Sequence, residues 1–220
     1  MLGTLYVVST PIGNLEDITL RAIRVLKEAN LVAAEDTRRT KVLFTRYDIS
    51  TPLTSYFSYN KLQKTGYLIE RLKSGDKVAL VSDSGTPGLS DPGEAVVREC
   101  VREGIPVVPI PGPSACLAAL VASGKPTGSF IFDGFLSNKG AKRKKRLEQL
   151  LGADKTVVLY EAPHRVIKFL EDMNSLAPEK EIVLAREMTK VYEEIRRGRA
   201  ATLLEWFMVN KPRGEFTIIL

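Results

Sequence analysis

Short uncharged runs rich in β-branched residues alternate with longer amphipathic stretches along most of the chain. Leu5–Ser9, Leu31–Ala34, Val78–Val81 and Val107–Ile110 read as strands, and Val78–Val81 has the look of one buried on both faces. Between them apolar residues recur at helical spacing. Leu20, Ile23 and Leu26 share one face of a helix that starts near Asp17 or Ile18. Residues 39–61 read as a helix followed by a loop of hydroxyl and aromatic residues, and Lys64–Leu72 as a helix ending at Ser74-Gly75. Pro113–Ala122 is a helix of small residues. Strand and helix alternating at this spacing predict a mostly parallel sheet.

Lys125–Ser129, reading KPTGS, is the expected linker, and beyond it the pattern changes. Strands are predicted at Phe130–Asp133, Thr156–Tyr160, Glu181–Ala185, Glu193–Arg196 and Phe216–Leu220. Helices are predicted from about Gly140, from Pro163 and over Thr202–Val209. The later strands follow one another closely, which predicts more antiparallel pairing. The expected organisation is two α/β domains, 1–124 with a mostly parallel sheet and 129–220 with a mixed sheet, joined at about 125–128.

The expected organising stretch is Lys77–Val97, KVALVSDSGTPGLSDPGEAVV. A buried strand breaks into a loop of small residues, Ser82–Gly88, and the chain restarts at Asp91-Pro92, a cap and first position for a helix. A ligand site at the carboxyl edge of an α/β sheet has this form, because glycine lets backbone N–H groups approach closely. A tight connection that binds nothing has the same form, and the loop alone leaves both open.

Apolar content of 44% and charged content of 26% are those of a soluble globular protein. The net charge of +6 changes the picture because it is local: Lys139, Lys142, Arg143, Lys144, Lys145 and Arg146 place six positive charges within eight residues. With no acid interleaved before Glu148, this run suits contact with a polyanion, although most charge runs are solvated faces. Cys100 and Cys116 lie in apolar helical patterns and read as small buried hydrophobes. His164 is the only histidine, so a multi-histidine metal centre is excluded by count, and no metal is expected. Gly104–Gly124 lacks charge, but Pro106, Pro109, Pro111 and Pro113 favour a strand, a turn and a buried helix over a membrane span. No signal peptide is visible at Met1–Thr4, and a cytoplasmic protein is expected.

The nucleotide fingerprints G-x-G-x-x-G and G-x-x-x-x-G-K-[ST] are missing, as is G-x-S-x-G, which argues against an ordinary dehydrogenase, P-loop enzyme or α/β-hydrolase. Four loops are instead expected to converge where strands end: Thr10–Asn14, Glu35–Arg38, Ser82–Gly88 and Pro111–Ala115. Ser114 and Ala115 open a helix, where N–H groups lack intrahelical acceptors. Glu35, Asp36 and Arg38 suit either proton transfer and substrate orientation or a surface ion cluster. Tyr160-Glu161-Ala162-Pro163-His164-Arg165 gathers a phenol, an acid, an imidazole and a guanidinium at another strand end, and is again open between function and structure.

In order along the chain, LYVVSTPIGNL from Leu5, AEDTR from Ala34, SDSGTP from Ser82 with SDPG from Ser90, IPGPSA from Ile110, YEAPHR from Tyr160 and REMTK from Arg186 resemble one family across nearly the whole length. It is the ribosomal RNA small subunit methyltransferase I family, a branch of the tetrapyrrole-methylase-like superfamily of class III S-adenosylmethionine-dependent enzymes. The resemblance implies two α/β domains with S-adenosylmethionine held between them, usually in a homodimer. It implies methyl transfer to the ribose 2′-hydroxyl of a cytidine in the decoding region of small-subunit ribosomal RNA, either naked or in the assembled subunit. Position by position, it puts cofactor contacts at Pro11, Gly85, Thr86, Pro87, Ser114, Ala115, Tyr160, Ala185, Phe216 and Thr217.

Two departures stand out. Ala162 replaces a serine common in the family, and the sequence stops at Leu220 without the C-terminal helical region many members carry, which would leave RNA binding more dependent on Lys139–Arg146. The expected acceptor site gathers Glu35, Asp36, Arg38, Glu161, His164 and Arg165, with a carboxylate or His164 receiving the proton and arginines holding phosphate. Rival readings are a methyltransferase of the same superfamily acting on a tetrapyrrole or a modified protein histidine, and a non-catalytic RNA-binding protein that retains the fold.

Overall fold

A computed structural model describes residues 1–56, 61–91 and 93–220, the side chains of 61–63 excepted. The chain divides into two compact units, Met1–Ser114 and Ala115–Leu220.

In the first unit β1 (Thr4–Val8), β2 (Leu31–Ala34), β3 (Leu53–Ser55), β4 (Lys77–Val81) and β5 (Val107–Ile110) form one sheet in the order β3-β2-β4-β1-β5. Every pairing in it is parallel. Alternation along the strands sorts side chains between two faces. Val8, Val32, Ala34, Ala79 and Val81 pack beneath α1 (Leu20–Glu28) and α2 (Thr37–Arg46). Leu5, Leu31, Ala33, Val78 and Leu80 pack beneath α3 (Lys61–Lys73) and α4 (Glu94–Arg102). The chain therefore leaves β1 toward one face and leaves its neighbour β4 toward the other. Such a switch point opens a crevice at the carboxyl ends of the two strands.

Two local expectations change. β3 is a strand of three partly buried residues within the predicted loop, and the rest of that loop, 57–60, lies outside the described residues. The helix after the small-residue loop begins at Glu94 with Gly93 as its cap, not at Asp91. Gly93 has φ +149, and a Cβ there would stand 3.1 Å from Leu80, so the entry needs glycine. Pro92 lies outside the described residues.

In the second unit α5 (Ala115–Ala122) precedes β6 (Phe130–Phe135), α6 (Gly140–Leu151), β7 (Thr156–Glu161), α7 (Val166–Leu176), β8 (Glu181–Arg186), β9 (Glu194–Arg199), α8 (Ala200–Val209) and β10 (Phe216–Ile219). The sheet runs β6-β7-β10-β8-β9. Only β6 and β7 pair in parallel, and the other three pairings are antiparallel, as the close strand spacing predicts. Leu159, Ile182, Leu184 and Ile218 on one face form a core with Leu147, Phe169 and Leu203 of α6, α7 and α8. Val158, Val183, Ala185 and Ile219 on the other face pack against Cys116, Ala119 and Leu120 of α5. This packing assigns α5 to the second sheet, so the observed division falls at Ser114 and not at the expected 125–128. Both cysteines are buried, and burial pushes each thiol up to about 11, which leaves them as inert core residues. Among the described residues no helix is long and apolar enough to cross a membrane, and no cluster of His, Cys, Asp and Glu could hold a metal.

Candidate functional site

The loops after β1, β4 and β5 are fastened to one another at the carboxyl edge of the first sheet. Thr10 N–H donates to Gly85 O at 2.9 Å and Gly85 N–H returns a bond to Thr10 O at 3.0 Å. Gly85 holds φ +77, a left-handed conformation that glycine adopts without Cβ strain. The Thr86 hydroxyl donates to Pro113 O at 3.3 Å. Its single proton is thereby used, so the Ser9 hydroxyl, 3.0 Å away, donates to it. A Cβ on Gly112 would stand 3.0 Å from that of Ser9, which keeps the β1 and β5 loops in close approach. These contacts fix Pro11, Gly85, Thr86 and Pro87 on one edge, and Ser114 closes the first unit, buried at 9% exposure.

The loops after β2 and β4 share a second set of bonds. Asp36 caps α2 by accepting from Arg38 N–H at 2.9 Å. The same carboxylate pairs with the Arg38 guanidinium at 3.0 and 2.7 Å, and these bonds hold it down to about 2. Asp36 N–H donates to Asp83 Oδ1 at 2.8 Å, and Asp83 N–H donates to Glu35 Oε2 at 3.3 Å. Half-burial pushes the Glu35 carboxyl up, against the Asp83 N–H that favours its ionised form. Asp83 is not among the residues expected from sequence. Its one signal is its place directly after Ser82 in the small-residue loop, where the glycines are the more conspicuous feature.

In the second unit Tyr160, Thr217 and Ala185 lie side by side across β7, β10 and β8. The Tyr160 hydroxyl accepts from Cys116 N–H, in the first turn of α5, at 3.2 Å. Phe132 packs edge-on against the Tyr160 ring at 5.0 Å. Phe216 is one residue out of phase with this row. Its side chain packs in the opposite core with Phe207 at 6.0 Å, so only its main chain can face a ligand beside Thr217.

Glu161 is 2% exposed and accepts from Ala162 N–H at 2.9 Å. Burial pushes its carboxyl up, opposed by that bond and by Arg165. Arg165 Nε stands 2.9 Å from Glu161 Oε1 but off the N–H axis, while the guanidinium donates to Leu136 O at 2.6 Å and to Asn138. Arg165 therefore ties the loop after β6 to that after β7. His164 is exposed at the same strand end.

The basic run forms the start of α6, and its charges do not all face solvent. Arg143 lies on the stripe of Leu147 and Leu150 and is 5% exposed. It donates from Nε to Asp172 Oδ2 at 2.7 Å, with Nη2 at 2.6 Å, and Asp172 is itself 1% exposed. Arg143 is thus a core ion pair and not an RNA contact, a correction to the sequence expectation. Arg146 is chelated by Asp133. Lys139, Lys142, Lys144 and Lys145 are exposed and make the outward patch.

A family model described as Tetrapyrrole (Corrin/Porphyrin) Methylases matches residues 4–204. Curated relatives called Ribosomal RNA small subunit methyltransferase I match throughout. That of Synechocystis sp. is 45% identical over all of this chain and 79% of its own. That of Thermotoga maritima is 45% identical over all of this chain and 98% of its own. That of Pseudomonas aeruginosa is 48% identical over 99% and 78%. The fold is shared with uroporphyrin-III C-methyl transferase from Thermus thermophilus complexed with S-adenyl homocysteine, at TM-score 0.69 and 20% identity over 99% of this chain and 97% of that one. Diphthine synthase shares it at TM-score 0.73 and 17% identity over 99% and 90%. The chain belongs to the tetrapyrrole methylase family, in the branch formed by the ribosomal RNA small subunit methyltransferase I proteins.

Proposed function

We propose that this protein is an S-adenosylmethionine-dependent methyltransferase acting on the 2′-hydroxyl of a cytidine in the decoding region of small-subunit ribosomal RNA. It works in the cytoplasm, as a homodimer, on the RNA or the assembled subunit. The observation that carries this reading is the interlocked carboxyl edge of the first sheet. Its loops at 9–14, 82–88 and 110–115 hold hydroxyls and main-chain donors and contain no Lys or Arg. Those donors can hold the carboxylate of a zwitterionic amino acid, the main-chain carbonyls of the same loops can accept from its ammonium, and the lack of a cation avoids repelling a sulfonium, so the set fits S-adenosylmethionine.

Pro11, Gly85, Thr86, Pro87, Ser114 and Ala115 are assigned to hold the cofactor, with Tyr160, Ala185, Thr217 and the main chain at Phe216. When bound, S-adenosylmethionine supplies an activated methyl group. The chain's own task is then to orient the ribose and accept its proton. Glu35 is assigned as the acceptor: its carboxyl is pushed up by burial, and among the described residues it has no ion pair. Asp36 and Glu161 are already paired with arginines in their own loops. The Arg38 side chain is 89% exposed and is assigned to a substrate phosphate. His164 is left to contact the RNA, and Arg165 to hold its loop.

The test is transfer of radiolabelled methyl from S-adenosylmethionine to small ribosomal subunits from cells lacking this protein, followed by nucleoside analysis. Label in 2′-O-methylcytidine is expected. Cofactor binding without labelled RNA would favour a tetrapyrrole or protein-histidine substrate, and no cofactor binding would leave a non-catalytic RNA-binding protein.

A further inference from the structure

Beside the loop that follows β4 lies a concavity with two kinds of wall. Pro11, Leu15 and Leu43 give it apolar sides, and Arg39 and Asp83 stand at its polar end. The two charges approach only to 3.6 Å between Arg39 Nε and Asp83 Oδ2, outside hydrogen-bonding distance. Among the described residues Arg39 has no other ion pair, and its side chain is 65% exposed. Asp83 is held from behind, with Oδ1 on Asp36 N–H at 2.8 Å. A carboxylate has about four acceptor positions, so Asp83 retains capacity for further donors.

A fixed acceptor beside a planar donor, between apolar walls, suits a flat heterocycle with donor and acceptor atoms along one edge. Cytosine has that edge: its exocyclic amine donates, while N3 and O2 accept. Uracil reverses the first two, since O4 accepts and N3 donates. We propose that this concavity receives the base of the acceptor nucleotide and selects cytosine over uracil. Asp83 accepts from the exocyclic amine, and Arg39 donates to N3 and O2. The proposal rests on the reading of the protein as an RNA cytidine methyltransferase and names the residues that choose the base.

Asp83→Asn is the informative variant. It keeps an oxygen for the Asp36 N–H and turns the other position into an amide donor, which opposes the cytosine amine and accommodates uracil O4. Arg39→Met removes the planar donor and keeps the length of the side chain. The full chain is assayed on small subunits reconstituted with cytidine or uridine at the labelled position, comparing kcat/KM, while calorimetry follows S-adenosylmethionine affinity. The preference for cytidine is expected to fall about 10- to 100-fold in each variant, with cofactor affinity unchanged. An unchanged preference in both variants overturns the proposal. Lost cofactor affinity with unchanged preference also overturns it and gives the concavity to the cofactor. Wild-type protein that labels no RNA removes the broader reading as well, whereas normal labelling with unaltered variant preference removes this one alone.

Discussion

Thr10 and Gly85 exchange two main-chain hydrogen bonds, at 2.9 and 3.0 Å, between the loops that leave adjacent parallel strands. They join the loops at the point where the chain departs to opposite faces of the sheet. The position of each loop is thereby set by the other, and Gly85 can serve only because it tolerates φ +77.

Gly85→Val is expected to lose about 1–2 kcal/mol from the left-handed backbone alone. Its Cβ would also meet Ile12 at 3.4 Å. Urea denaturation measures the loss, and calorimetry should show weaker S-adenosylmethionine binding. Full cofactor affinity in a folded variant would separate this loop from the cofactor.

Arg143→Ala removes the hydrogen-bonded partner of the Asp172 carboxylate at 1% exposure, leaving Lys144 Nζ at 3.7 Å, and is expected to cost about 3 kcal/mol. The double variant Arg143→Met with Asp172→Leu should recover most of that loss, because neither charge then remains buried alone. Denaturant midpoints of the two variants check the contrast.

Replacing Lys139, Lys142 and Lys145 together by alanine should leave the denaturation midpoint close to wild type, since all three are exposed. RNA affinity should fall by similar factors across sequences. The plot of log affinity against log salt should flatten by about one unit for each phosphate that is no longer neutralised.

Burial raises the Glu35 carboxyl above its ordinary 4.5, so the folded protein holds that proton more tightly than the unfolded chain. The associated stability is fully present below the unfolded value and is lost as pH rises through the folded one. Wild type should therefore lose stability relative to Glu35→Gln across that window, read as the difference in urea midpoint. Asp36 has the opposite sign: its contribution is present above 3.8 and is lost as pH falls toward about 2.

Tyr160→Phe removes the acceptor for Cys116 N–H while keeping the ring. A loss of about 1 kcal/mol and faster hydrogen exchange at the Cys116 amide are expected.

Periodicity made most elements legible, because buried strands and amphipathic helices have different apolar spacing. Leu31–Ala34 and Val107–Ile110 lie where the pattern puts them. What escaped was decided by partners distant in sequence. β3 is three residues long and is a strand through pairing with β2, not through its own pattern. α5 is apolar on every side, so nothing in its composition indicates which sheet it covers. The inward turn of Arg143 was visible as a continuation of the Leu147 and Leu150 stripe, but its acid lies 29 residues away on α7. At the site, the small-residue loops were legible as motifs, whereas the bonds from Asp83 to the Glu35-Asp36 segment needed the parallel neighbours β2 and β4.

The division of labour along α6 follows chemical type. Its anchoring guanidiniums are Arg143 and Arg146, and its outward primary amines are Lys142 and Lys145, with Lys144 between the two groups, exposed but 3.7 Å from Asp172 Oδ1. Acylation attacks amines and spares guanidiniums, so acetylation of Lys142 and Lys145, enzymatic or chemical, would strip outward charge from this helix without touching the guanidinium contacts that hold it in place.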